Sequence, residues 1–243
     1  MSISARERIL VALDVPTLSE ALALVDQLKG RVGGFKVGLE LCHSEGTNQV
    51  IQAVSAAGGN VFLDIKLKDI PNTVAGATRA VTKPGVFMFN LHCDGGIAMM
   101  RASVEAARSV SENPPLIIGV TVLTSLGATE LHSDLGIVED VEHYVVRLAR
   151  MAKSAGLNGV VSSVKEVAAI KEACGQDFIT VTPGIRPLWA AANDQRRAVT
   201  PAQAIAAGSD YLVIGRPITN PPAEIGSPVD AVERIVAEME YGS

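Results

Sequence analysis

Eight short apolar runs, each followed by a stretch with helical spacing, divide the chain, and this alternation constrains its fold more than any single motif. The runs cover residues 9–15, 34–38, 61–67, 86–92, 116–124, 159–163, 178–184 and 211–216. The intervening stretches predict helices over about 16–29, 39–57, 71–81, 97–111, 138–155, 165–174, 201–207 and 229–239. A strand followed by a helix, repeated, argues for a parallel sheet of the α/β class. Eight such units in 243 residues argue for a closed (β/α)8 TIM barrel, and residues 1–243 read as one barrel domain without linker or low-complexity stretch. A doubly wound open sheet is the alternative. It is weakened because no glycine fingerprint for a dinucleotide follows the first strand.

Composition enters as a set of exclusions. Hydrophobic residues make up 48 % of the chain and charged residues 19 %, which argues against disorder. The formal net charge of -5 provides no general basic field for nucleic acid or an anionic membrane, so an anionic ligand must be met by local basic residues. Cys42, Cys93 and Cys174 are odd in number and widely spaced, which suggests reduced thiols in a cytoplasmic protein. A polar start (residues 1–8) runs straight into the first strand, without the pattern of a signal peptide. No apolar run reaches membrane-spanning length.

The third strand carries the most unusual pattern. By alternation Val61, Leu63, Ile65 and Leu67 share one face, while Phe62, Asp64 and Lys66 share the other. The first face suits a strand packed under helices. The second sets a carboxylate and an ammonium side by side on the inner side of the sheet, where desolvation is costly unless partners hold them. Asp69 follows just past the strand, and Pro71 suits the first turn of a helix. A structural ion pair would explain this stretch taken alone.

Other polar residues occupy equivalent positions. Asp14 ends strand one, Lys36 lies in strand two, Thr124 ends strand five, residues 183–186 follow strand seven, and Gly215-Arg216 end strand eight. In a barrel these ends meet at one rim, where active sites are built. Convergence from six strands is hard to attribute to packing. The 186–200 connection is long for a βα loop and suggests a binding lid. Gly215 leaves room for a ligand at the backbone, and Arg216 offers a planar fork of donors for a phosphate, with Gln195 in the preceding loop. Arg196 and Arg197 read as a solvated loop face.

At the level of motifs, Asp64-Ile-Lys66-Leu-Lys-Asp69-Ile-Pro-Asn-Thr73 resembles the signature of the orotidine 5'-monophosphate decarboxylase family. The resemblance extends in order through Asn90-Leu-His92, Val120-Thr-Val-Leu-Thr124-Ser, Thr182-Pro-Gly-Ile-Arg186, Asp194-Gln195-Arg-Arg and Val213-Ile-Gly215-Arg216-Pro, and is greatest to the bacterial form. It implies a homodimer of (β/α)8 barrels that needs neither metal nor organic cofactor. It implies conversion of orotidine 5'-monophosphate to uridine 5'-monophosphate and carbon dioxide, the last step of pyrimidine nucleotide synthesis. Carried over by position, Lys36, Asp64 and Lys66 join Asp69 of the other subunit in an alternating charge network. Lys66 is then the proton donor to the ring carbon that loses the carboxylate. Asp14 and Lys36 would hold ribose hydroxyls, and Thr124 would contact the pyrimidine edge. Arg186, Gln195, Gly215 and Arg216 would hold the phosphate, and Thr73 would reach the neighbour's ribose along with Asp69.

These residue types suit that chemistry. Loss of carbon dioxide leaves a carbanion in the ring plane, which an adjacent ammonium stabilises and then protonates. Flanking carboxylates keep a buried lysine charged, and Asp64 can also crowd the departing carboxylate. Other residues read as ordinary: His92 as a satisfied core histidine, Cys93 as a buried thiol, Trp189 as lid packing, and His43, His132 and His143 as lacking metal spacing. Two other readings stay open. One is a related barrel that acts on a sugar phosphate with magnesium. The other is a nucleotide-binding sensor without turnover.

Overall fold

In the computed structural model, which describes residues 3–190 and 199–242, the eight strands close into one barrel. They are β1 (Ile9–Ala12), β2 (Gly34–Val37), β3 (Val61–Leu67), β4 (Val86–His92), β5 (Leu116–Val120), β6 (Gly159–Val161), β7 (Ile179–Thr182) and β8 (Tyr211–Ile214). Each pairs in parallel with the next, and β8 pairs with β1 through Leu10↔Val213 and its neighbours. The closed sheet bears out the (β/α)8 expectation and excludes the open doubly wound alternative.

The connecting helices are α1 (Leu18–Leu28), α2 (Leu39–Glu45), α3 (Thr47–Ala56), α4 (Pro71–Val81), α5 (Ile97–Val110), α6 (Ala128–Ser133), α7 (Val141–Ala155), α8 (Val164–Cys174), α9 (Pro201–Ala206), α10 (Arg216–Thr219) and α11 (Pro228–Tyr241). Their starts follow local chemistry. Thr17 and Asp140 accept hydrogen bonds from the first-turn amides of α1 and α7, while Pro71 and Pro201 occupy first-turn positions of α4 and α9.

Strand alternation sorts the apolar residues into two layers. Ile9, Val11, Phe35, Val37, Val61, Leu63 and Phe89 face the helices. Leu10, Ala12, Phe62, Met88, Ile118, Val181 and Val213 fill the barrel interior. Burying each large side chain is worth roughly 1.5–3 kcal/mol, so the plug in the barrel is a substantial part of what holds it closed.

Four expectations need correction. The single helix expected over 39–57 is two, because Gly46 adopts φ +83, a conformation that ends one helix and redirects the chain. β5 stops at Val120, so Thr124 lies on the following loop rather than at the strand end. β8 stops at Ile214, so Arg216 opens the short helix α10. β1 stops at Ala12, which leaves Asp14 two residues beyond it. In the three strands apolar character continues past the last strand residue, and hydropathy alone does not show where the strand stops.

Candidate active site

The site is built around a distortion in β3. Leu63 pairs with Phe89 and Leu67 with Leu91, so four steps along β3 match two along β4. The surplus residues form a bulge containing Asp64, Ile65 and Lys66. Among the described residues Lys66 is the one non-glycine residue with positive φ, at +50. That conformation costs on the order of 1–3 kcal/mol and persists only where surrounding groups impose it. The alternation expected from the sequence nonetheless survives. Ile65 and Leu67 pack on the outer core, while Asp64 and Lys66 face the interior cavity.

Asn90, opposite the bulge on β4, is fully buried. Its Oδ1 accepts the Lys66 backbone N–H at 2.8 Å, and its Nδ2 donates to Asp64 Oδ1 at 2.7 Å. From Asp64 a chain of alternating charge runs across three strands. Lys66 Nζ donates to Asp64 Oδ1 at 2.6 Å, Lys36 Nζ lies 3.4 Å from Asp64 Oδ2, and Lys36 Nζ donates to Asp14 Oδ1 at 2.8 Å. Burial pushes the Asp64 carboxyl upward, but the Lys36 charge, the Lys66 ammonium and the Asn90 amide outweigh it and hold the group below the usual carboxylate range. Gly38 keeps this arrangement open, since a Cβ there would stand 3.0 Å from Lys36 Nζ and 3.3 Å from Asp14 Oδ1.

These charges line one side of a cavity of about 310 Å³ at the C-terminal rim. Its remaining wall is largely apolar, with Val120, Val122, Val161, Val181 and Val213 beside Thr124. A second cavity of about 500 Å³ adjoins it through Ala12, Asp14, Gly184, Val213 and Gly215, and holds Arg186 and Arg216. A Cβ on Gly215 would meet only Ala12, at 3.5 Å, so a side chain is missing there where the two cavities join rather than where the protein is crowded. The rim therefore has a charged and apolar end next to a basic end, as suits an elongated ligand with an anionic tail.

The structure thus brings together Asp14, Lys36, Asp64, Lys66, Thr124, Arg186, Gly215 and Arg216. It leaves Asp69 and Thr73 exposed on the β3–α4 connection and the first turn of α4, outside both cavities of their own chain. Gln195, with Arg196 and Arg197, lies outside the described residues. Among the described residues no three His, Cys, Asp or Glu side chains cluster in a way that could hold a metal ion.

The family model for "Orotidine 5'-phosphate decarboxylase / HUMPS family" matches residues 7–235. The chain belongs to this family. It is of the bacterial type, similar over nearly its whole length to bacterial orotidine 5'-phosphate decarboxylases. It is 47 % identical over 241 residues to the one from Syntrophomonas wolfei, covering 97 % of this chain and 99 % of that protein. It is 49 % identical over 240 residues to the one from Moorella thermoacetica, covering 97 % and 93 %. A solved structure titled as orotidine 5'-phosphate decarboxylase from Lactobacillus acidophilus superposes with a TM-score of 0.80 at 34 % identity, over 95 % of this chain and 98 % of that one.

The sequence assigned no role to Asn90, although it opens one of the motifs, or to Gly38. A signal for Asn90 was present: a polar residue at the inner-face position of an apolar strand, in register with Met88, must find partners when buried. Nothing local marks Gly38. Of the residues read as ordinary, Cys93 is fully buried and its thiol is pushed up by desolvation, so it is inert as a nucleophile. Trp189 packs partly against the outer core. His92 is only partly buried, its Nδ1 3.8 Å from Asp94 Oδ1, and burial lowers its pKa below the usual histidine value. All three cysteines are free and buried.

Proposed function

We propose that this chain, as a single (β/α)8 catalytic domain, decarboxylates orotidine 5'-monophosphate to uridine 5'-monophosphate and carbon dioxide. The observation that carries the reading is the Lys66 ammonium, fastened to Asp64 and facing a largely apolar cavity beside a basic one. The pyrimidine occupies the first cavity with its edge toward Thr124, and the phosphate lies against Arg186, Gly215 and Arg216, with Gln195 contributed by the loop. Asp14 and Lys36 hold ribose hydroxyls between the two.

Departure of carbon dioxide leaves the bonding electron pair on C6 of the ring, in the ring plane. The Lys66 ammonium stabilises that charge as it develops and transfers a proton from Nζ to C6, after which the amine recovers its proton from water. Asp64 holds the ammonium in place and sets a like charge against the substrate carboxylate. Both carboxylates of the charge chain face lysines. On this reading, as the family resemblance implies, the reaction uses neither metal nor organic cofactor. Phosphate binding energy, collected far from the reacting bond, organises these charges and raises the catalytic rate as well as affinity.

Asp69 and Thr73, exposed on their own chain, complete the neighbouring subunit's site in a homodimer, with Asp69 extending the charge chain and Thr73 reaching the ribose. On this reading the protein acts on a small nucleotide in the cytoplasm and has no nucleic-acid or membrane partner. The deciding experiment incubates chelator-treated protein with orotidine 5'-monophosphate and measures uridine 5'-monophosphate, with Lys66→Ala as control. Turnover by the native protein alone is expected. Nucleotide binding without turnover would make it a sensor, and neither binding nor turnover would move the chain to the sugar-phosphate enzymes.

A further inference from the structure

We propose that Asn90 is a positioning residue for this reaction, its amide holding the Lys66 backbone in the bulge and the Asp64 carboxylate in line with the Lys66 ammonium. The inference rests on the decarboxylase reading above and adds a residue to which that reading gives no role.

The argument begins with what a bulge costs. Four steps of β3 against two of β4 leave backbone donors without ladder partners. Lys66 N–H is one of them, and it sits on the residue with φ +50. Asn90 Oδ1 takes this donor at 2.8 Å. The same side chain gives its Nδ2 proton to Asp64 Oδ1 at 2.7 Å, the oxygen that also receives Lys66 Nζ at 2.6 Å. One fully buried side chain therefore fixes both ends of the Asp64–Lys66 pair.

The chemistry is selective. The position needs one acceptor and one donor set apart by a planar group. An aliphatic side chain supplies neither, and a carboxylate would face the Asp64 carboxylate. The charged groups around it are Asp64 and Lys66 on β3, Lys36 on β2 and, two residues along its own strand, His92. Its ladder partner on β5 is Ile118, which is uncharged.

The test compares Asn90→Leu and Asn90→Asp with the wild type, measuring kcat and KM across pH, with circular dichroism and melting temperature as checks on folding. Asn90→Leu is expected to lower kcat roughly 100-fold, the usual consequence of misplacing a reacting group by about 1 Å, with KM within about threefold. In Asn90→Asp two facing carboxylates cannot both ionise, so one keeps a proton at a raised pKa. With that proton the pair reproduces the amide's donor and acceptor. Its kcat should be near wild type on the acid side and fall as pH rises through that pKa, a limb the wild type lacks.

A folded Asn90→Leu with kcat within threefold of wild type would overturn the proposal, as would an Asn90→Asp profile parallel to wild type. A loss confined to KM would move Asn90 onto the ligand and overturn it equally. If Asn90→Leu fails to fold, the Asn90→Asp profile decides. If neither folds, hydrogen exchange of the wild-type Lys66 amide decides: exchange as fast as in exposed loops would remove the bond on which the inference stands, and strong protection would uphold it. No turnover by the wild type would remove the decarboxylase reading and this role together, whereas wild-type turnover with unaffected variants would remove this role alone.

Discussion

Two lysine–aspartate pairs, Lys171–Asp210 and Lys66–Asp64, lie at opposite ends of the barrel, and they are held differently. At the N-terminal end Lys171 on α8 reaches Asp210, just before β8, at 2.7 Å. Its ammonium also donates to the carbonyls of Gln176 at 2.9 Å and Phe178 at 3.0 Å, so all three of its protons are spent on the protein. Asp210 Oδ2 takes a further hydrogen bond from the Thr180 amide at 2.7 Å. At the C-terminal end Lys66 Nζ has one hydrogen-bond acceptor among the described residues, Asp64, and its side chain is 29 % exposed against 6 % for Lys171. Its backbone is strained where that of Lys171 is helical. A saturated pair joins elements together. A pair with protons left over, facing a cavity, is available to a ligand. Charge alone does not separate the two cases, whereas exposure and the count of unspent donors do.

The sharpest way to break this comparison is to remove each lysine. Lys66→Ala should lower turnover by about 10⁴-fold or more, because one group serves as both electrostatic partner and proton donor. It should melt within about 3 °C of wild type. Lys171→Ala should do the reverse. It empties the site of a buried ammonium and leaves the partly buried Asp210 carboxylate and the Gln176 and Phe178 carbonyls without their donor, whereas Asp64 keeps Lys36 and Asn90 when Lys66 is removed. The change should cost about 3–5 kcal/mol, which lowers the melting temperature by about 10 °C, while kcat per folded molecule is unchanged. A Lys171→Ala protein that melts normally and has lost turnover would sink the distinction.

Smaller effects sharpen it. Arg216→Ala should weaken binding of the intact nucleotide by about 10- to 100-fold and leave the phosphate-free nucleoside unaffected. Equal losses on both ligands would take Arg216 off the phosphate. Mixing inactive Lys66→Ala with inactive Asp69→Ala should restore about a quarter of native activity, since half the dimers are mixed and each then holds one intact site. No recovery despite verified subunit exchange would mean that the site is not shared. The smallest effect lies in acid. Asp64 titrates below the ordinary carboxylate value in the folded chain, so its contribution to stability is fully present above about pH 4 and is lost as pH falls through the depressed value. The stability gap between wild type and Asp64→Asn, measured by denaturant unfolding, should therefore close on acidification by at most about 1.4 kcal/mol per pH unit. A gap that stays constant from pH 6 to pH 2 would show that Asp64 is not held by its neighbours.

Much of this was legible in the chain itself. Alternation of apolar runs with helical stretches is a local property, and it carried the eight strands, the parallel sheet and the closed barrel. Placing polar residues at strand ends then put Asp14, Lys36, Asp64 and Lys66 on one rim without any contact being known. Where the reading went wrong, the cause was also local: Thr124 and Arg216 lie beyond their strands because apolar character outlasts the strand, and Gly46 breaks a helix whose periodicity continues across it.

What the sequence by itself determined is therefore the architecture and the set of charges at its mouth, since both follow from spacing along one chain. Only the tertiary structure decided how those charges are held. The β3 bulge, the left-handed Lys66 and the use of Asn90 as a two-ended brace depend on the register between β3 and β4, residues some 24 positions apart. The contrast between a spent and an unspent lysine depends on which carbonyls and cavities happen to surround each ammonium. Hydrogen-bond satisfaction is settled between strands and helices that meet only after the barrel has closed, and no window of sequence contains it.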